Sequence, residues 1–281
     1  MLLTHFTKGT ERTETGRYIG AEIETDFLME DGSPIPEEVT RDILRAAEGQ
    51  PSTFSYKLEL GRQKIECSFV AQPNIHTLFH QMERGLNWLY KVAANYGAQP
   101  FFEPVVNWDG NLLYVQEERD EIWVQLDGRR ALEHLCRCSS VQFTIDVNPE
   151  DAIQMINNLW CYQLPIPEYR PNHEKWLSYL ADTQANYRVD RYGGPPGFYD
   201  IDDYVRQLMM HDVVMHKGRS VQLKVDQVSD LNIDLFLRSI WWHYRLRRYE
   251  NRLVVEIRPL PRQRDEDISE QWRLVASATG L

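Results

Sequence analysis

The residues with the clearest chemical potential are carboxylates spaced as on β-strands. In Gly20-Ala21-Glu22-Ile23-Glu24, strand periodicity puts Glu22 and Glu24 on one face and Ile23 on the other. A second pair lies in two β-like runs, 54–60 and 64–70, around Gly61-Arg62-Gln63. With 61–64 as a four-residue turn, Leu60 pairs with Ile65 and Glu59 stands opposite Glu66. Like charges facing each other across strands repel, so a sheet carries them only in water or around a cation. These four acids form either a solvated face or a ligand set for Mg²⁺ or Mn²⁺, hard ions that take carboxylates together with substrate phosphates.

A cationic counterpart lies near the C-terminus, in Trp241–Arg248 followed by Leu253–Pro259. With 249–252 as the turn, Arg245 and Arg247 share a face with Val254, Glu256 and Arg258. Guanidinium forks match phosphate and carboxylate oxygens; a salt-bridged outer face is the bland alternative. A further polar face, Gln142, Thr144 and Asp146, alternates with Val141, Phe143 and Ile145. His76 and His80 are four apart without an acidic third ligand and read as helix-surface residues, and His211 and His216 receive no role. Cys136-x-Cys138 reads as small residues entering a strand, with reduced thiols as the default. Walker A, dinucleotide Gly-rich, G-x-S-x-G and H-E-x-x-H patterns are absent from the sequence.

The elements that position these groups follow from periodicity. Residues 17–28 alternate as a strand, and 36–48 open with Pro and two acids as a helix does. Helical spacing of Leu78, Met82, Leu86, Leu89 and Ala93 predicts one long amphipathic helix over 75–96, closed at Gly97. A helix over 128–135 leads to a strand at 137–147, and Asn148-Pro149-Glu150-Asp151 begins a helix running to about residue 162. Residues 162–200, crowded with aromatic, Pro and Gly residues, read as a long loop. Strands at 219–226, 241–248 and 252–258 and a helix at 266–278 complete the chain. Hairpin-connected neighbours favour an antiparallel sheet with helices on one face, an α+β class.

Composition sets the bounds. The 281 residues are 42% hydrophobic and 26% charged, enough for one large core, and no repeat or linker divides them, so a single domain over 1–281 is expected. The net charge of −11 argues against a grip on nucleic acid. The first residues are too short and polar for a signal segment, and no run approaches the roughly 18 apolar residues of a membrane helix, so a cytoplasmic protein is expected.

Taken in order, the motifs resemble the glutamate–cysteine ligase type 2 group of carboxylate–amine ligases, relatives of glutamine synthetase. YIGAEIET resembles that family's opening G-x-E-x-E strand, and LELGRQKIECS its paired-acid hairpin. CSSVQFTIDVNPEDAIQMINNL is similar to its strand-turn-helix, and HYRLRRYENRLVVEIRPLP to the hairpin that closes its site. The resemblance implies a curved antiparallel funnel with helices on its outer face, ATP as substrate, and Mg²⁺ or Mn²⁺ held by strand carboxylates. By position, Glu22, Glu24, Glu59, Glu66 and Glu256 would be metal ligands. Arg247 and Arg258 would contact phosphates or a substrate carboxylate, with Arg245 also near the nucleotide. Where the family has an H-V-H-V-G strand this chain has Gln142 and Thr144, which can still offer oxygen to metal or nucleotide.

The activity so implied is ATP-dependent amide formation between an amino-acid or peptide carboxylate and an amine, through an acyl phosphate. Alternatives are a non-catalytic nucleotide- and metal-binding relative, motivated by Gln142 and Thr144, and a guanidino-kinase-like phosphotransferase. Glu24, Asp146 and Tyr192 are possible bases for the amine, and no spacing selects among them. A homodimer contact through 160–200 is possible; no nucleic-acid or membrane partner is expected.

Overall fold

The computed structural model describes residues 2–10, 17–49, 53–115, 118–162, 166–185, 187–211, 213–216, 220–223 and 233–281. At its centre is β1 (Ile19–Met29), whose alternation buries Ile19, Ala21 and Ile23 on one side and turns Glu22, Glu24 and Asp26 to the other. One edge of β1 pairs with β3 (Lys64–Gln72), and β3 with β2 (Phe54–Leu58). The other edge pairs first with β5 (Ser140–Asp146) and further along with β4 (Ala98–Phe101). Beyond β5 come β11 (Arg252–Pro261) and β10 (Tyr244–Tyr249), and all these pairings are antiparallel. The molecule is thus a mixed α/β fold around one mostly antiparallel sheet, left open with β10 and β2 as edges.

Register aligns the polar side chains in rows across the sheet. Lys57, Glu66 and Glu24 form one row; Ser68, Glu22 and Gln142 the next; Gly20, Thr144, Glu256 and Arg245 a third. Gly20 is needed in its row because a Cβ there would stand 2.6 Å from Thr144 Oγ1. The third row confirms the turn placed between Tyr249 and Arg252, where Glu250 takes a positive φ of 54°. The hairpin of β2 and β3 differs from expectation. Lys57, not Glu59, opposes Glu66, and Leu58, not Leu60, opposes Ile65. The turn is longer because its residues pair elsewhere: Gly61 bridges to Leu113, and the Arg62 and Tyr114 amides donate to Leu112 O and Leu60 O. Opposite charge replaces like charge across the strands, which stabilises the pairing.

The apolar face is covered by α3 (Ile75–Ala94), α6 (Pro149–Cys161) and α10 (Ile268–Thr279). Asn74 caps α3 through the Thr77 amide at 2.9 Å, and the periodic residues Leu78, Met82, Leu86, Leu89 and Ala93 are buried as their spacing requires. α2 (Glu37–Ala47) packs on α3 around Phe27, Ile35 and Ile43. A second set of helices lies over the polar face: α4 (Glu118–Asp127), α5 (Arg129–Cys136) and α7 (Arg170–Asp182). These helices, rather than sheet curvature alone, enclose the space that a funnel would have provided, and the expectation of helices on one face only is corrected.

The expected loop over 162–200 holds α7, with Pro171 in its first turn, and β6 (Tyr192–Gly193). The expected strand at 241–248 is broken at His243: β9 (Trp241–Trp242) leaves the main sheet to pair in parallel with β6. Of the strand expected at 219–226, β8 (Ser220–Leu223) pairs with β7 (Val213–His216), and residues 219 and 224–226 lie outside the described residues. Three short helices, α1 (Leu2–Thr7), α8 (Ile201–Leu208) and α9 (Ile233–Arg238), had no sequence expectation, nor had α4. In α4 the apolar residues Ile122, Trp123 and Val124 are consecutive and show no helical period. Among the described residues no helix is long and apolar enough to cross a membrane.

Candidate functional site

Between the polar sheet face and α4, α5 and α7 lie two adjoining cavities of about 380 and 170 Å³ that share Glu24, Glu59, Leu60, Leu135, Trp241 and Arg258. Glu22, Glu24, Glu59, Glu66, Gln142, Arg245, Arg247, Glu256 and Arg258 all line the larger one. Thr144 shares their sheet face but is not part of that lining, being packed at Gly20.

At one end of the larger cavity, one carboxylate oxygen each from Glu24, Glu59 and Glu66 lie within 4.8 Å of one another. Glu24 accepts from the Ser140 amide at 2.9 Å and hydroxyl at 3.1 Å. Ser68 Oγ donates to Glu66 at 2.8 Å, and Lys57 Nζ lies 2.9 Å from Glu66 and 3.5 Å from Glu59. Burial, and then the neighbouring Glu66, push the Glu59 carboxyl up to about 7; burial first also raises Glu22, Glu24 and Glu66. The acids are therefore crowded beyond what Lys57 and Lys64 neutralise. Of three vertices of a Mg²⁺ octahedron at most one pair is opposite, about 4.2 Å apart, and adjacent vertices are about 3 Å apart, so the three oxygens would have to draw together to hold one ion. The donor set fits a hard divalent cation. Glu22 stands one row away, against Gln142.

The other end is cationic. Glu256 is ion-paired with Arg245 Nε, and its second oxygen lies 3.4 Å from Arg258 Nη1. Burial works against its charge, but Arg245 and Arg258 overcome this and hold its carboxyl at about 2. Both oxygens of Glu256 thus engage arginines and stand outside the three-carboxylate cluster. Arg245 also donates to the Leu237 and Ile240 carbonyls at 3.1 and 2.8 Å, so it buttresses the strand ends. Arg258 sits at the bulge between Ile257 and Leu260, which aims it over β5 to donate to Gln142 Oε1 at 2.9 Å. Gln142 Nε2 in turn donates to Ser140 Oγ at 3.3 Å. Arg247, 8% exposed, makes no ion pair or side-chain hydrogen bond among the described residues and lies 6.0 Å from the Tyr249 ring. It therefore has guanidinium hydrogens to offer a ligand.

Sequence reasoning missed several residues. Asp26 continues the alternation of Glu22 and Glu24, a signal that was present; it is fully buried and accepts from Ser139 Oγ at 2.6 Å and Gln63 Nε2 at 2.8 Å. Lys64, bonded to the Cys138 carbonyl, keeps its charge because Asp26 and Glu24 offset its burial. Tyr169, Asn172 and Trp176, on or just before α7, Tyr192 on β6, and Trp241 line the smaller cavity, and no local spacing announced them. Asp146 pairs with Arg252 at 2.9 Å and lines neither cavity.

No family model matches the chain, and no curated protein does. Among solved structures it is similar to the crystal structure of glutamate–cysteine ligase (gshA) from Francisella tularensis in complex with AMP, with a TM-score of 0.56 over 95% of this chain and 67% of that one. The fold is glutamate–cysteine-ligase-like. At 10% identity the likeness is one of fold alone, and the chemistry has to be argued from the side chains.

Proposed function

We propose that the chain is a single-domain, ATP- and Mg²⁺-dependent carboxylate–amine ligase. The observation that carries this reading is the division of one cavity into a pole of three converging carboxylates and a pole of arginines, on a fold similar to that of a ligase crystallised with AMP. Glu24, Glu59 and Glu66 would hold Mg²⁺, with Glu22 the nearest reserve ligand. Mg²⁺ bound there supplies charge neutralisation between the γ-phosphoryl group of ATP and the carboxylate it approaches.

The residues of the chain do the rest. Arg247 receives phosphate oxygens or the substrate carboxylate, and Arg258, held in place by Glu256 and Gln142, steadies charge on the transferring phosphoryl group. Arg245 and Glu256 act as a fixed ion pair beneath them. The substrate carboxylate takes the γ-phosphoryl group, releasing ADP. The amine nitrogen then attacks the acyl carbon, the C–N bond forms, the C–O bond to phosphate breaks, and inorganic phosphate leaves. Roofing by α4, α5 and α7 keeps water from hydrolysing the acyl phosphate.

The test is incubation with ATP, Mg²⁺ and pooled carboxylates and amines while ADP, phosphate and product mass are followed. The expected product is lighter than its summed substrates by one water. A stable phosphorylated product would replace the ligase by a phosphotransferase. Nucleotide binding without consumption would leave a non-catalytic relative.

A further inference from the structure

The smaller cavity has walls that the reaction above does not use. Tyr169, Trp176, Tyr192 and Trp241 surround it. Trp176 and Tyr192 stack with centroids 4.9 Å apart and planes within 11°, and Trp241 lies 5.4 Å from Trp176, so the walls are flat and mutually braced. The volume is about 170 Å³. A cavity of about 150 Å³ holds one benzene ring, so a single six-membered ring fits here.

One end of this lobe is polar in a particular way. Asn172, 1% exposed, donates Nδ2 to Ser139 O at 3.0 Å, while its Oδ1 is buried with no partner among the described residues. The next residue, Ser140, donates to Glu24. The adjacent Ser139 and Ser140 thus tie an unmet amide acceptor and a carboxylate to the same end of the lobe. Leaving a buried acceptor unpaired is unfavourable, and an amine N–H is a donor that would satisfy it. Of the two cations at the lobe, Lys64 is bonded to the Cys138 carbonyl with Asp26 and Glu24 beside it, and Arg258 gives its Nη1 to Gln142 and Glu256.

We infer that this lobe seats the amine substrate and selects a compact arylalkyl amine, its nitrogen donating to Asn172 Oδ1 and its one ring lying among Trp176, Tyr192 and Trp241. The inference rests on the ligase reading for the word substrate. The ring walls and the acceptor fix the ligand class independently. While the nitrogen is protonated, the aromatic faces add cation–π attraction.

Calorimetric titration of the 281-residue chain with benzylamine and n-butylamine, with Mg²⁺ and a non-hydrolysable ATP analogue present, tests this. Benzylamine is expected to bind at least about tenfold tighter than n-butylamine, and Asn172→Leu to weaken it by about tenfold. Trp176→Ala widens the lobe, so 1-naphthylmethylamine is expected to bind the variant tighter than the wild type; a misfolded variant could not produce that gain. Equal affinity for benzylamine and n-butylamine, or no gain in Trp176→Ala, overturns the assignment. Release of ADP with a non-aromatic amine but not with benzylamine overturns it while leaving the ligase reading intact. Selective benzylamine binding with no ADP from any amine upholds the ligand class and removes the ligase reading.

Discussion

The Glu256 carboxylate and the Arg245 guanidinium illustrate what a buried charge needs at this site. Removing one partner of such a pair leaves the other uncompensated, so Glu256→Gln is expected to destabilise the protein by about 3–5 kcal/mol, read from denaturant melts. The same pair fixes an acid dependence. The folded carboxyl sits near 2, below its ordinary 4.5, so its stabilisation is complete above 4.5 and is lost as pH falls toward 2. That loss is on the order of 3 kcal/mol, and Glu256→Gln should show a shallower acid limb. Glu59 runs the opposite way: raised to about 7, it favours the fold below 4.5 and weakens it as pH rises through 7. A divalent cation among these acids reverses that cost, so Mg²⁺ should raise the melting temperature more at pH 8 than at pH 5; an equal shift would argue against the cluster as its site. Glu24→Gln and Glu66→Gln are each expected to abolish ADP release with the circular dichroism spectrum retained. Wild-type turnover in both would remove the metal assignment.

Among the elements, β1, β3 and α3 set the geometry of the acids. Gly85 of α3 faces Phe69 and Phe54, and a Cβ there would come within 2.8 Å of the Phe69 ring. Gly85→Ala gains helix propensity but forces α3 off the sheet, and a net loss of about 1–2 kcal/mol is expected in thermal melts. A stabilised variant would mean that the rings can turn aside. The hairpin of β2 and β3 shows why register was only partly legible. Alternation correctly put Glu22 and Glu24 on one face, but the residue opposite Glu66 was misplaced because turn length was fixed by the distant pairing of Leu60–Arg62 with Leu112–Tyr114. The long helix α3 was legible because its apolar stripe is periodic. α4 was not, because its apolar residues are clustered.

For the molecule as a whole, the site draws on side chains from Glu22 to Arg258, held by one sheet and by helices on both of its faces. Such long-range dependence predicts a single cooperative thermal transition for the chain, which calorimetry would check by agreement of calorimetric and van't Hoff enthalpies. Two resolved transitions would divide the proposed single domain. Arg248 adds to the coupling by donating to the His5 and Lys8 carbonyls, which binds the end of β10 to the N-terminal helix 240 residues away in sequence.

Strand alternation placed Glu22 with Glu24, and with a turn at 249–252 placed Arg245 and Arg247 with Glu256 and Arg258, because a period of two is a property of extended backbone and a short turn is local. Which of these groups are neutralised by a neighbour was decided by tertiary structure. Lys57 came opposite Glu66 through a turn pinned from elsewhere, Glu256 was taken up by Arg245, and a β-bulge sent Arg258 to Gln142. The aromatic lobe was likewise invisible in sequence, since its walls come from α7, β6 and β9, segments with no shared period that meet only when the chain closes over the sheet.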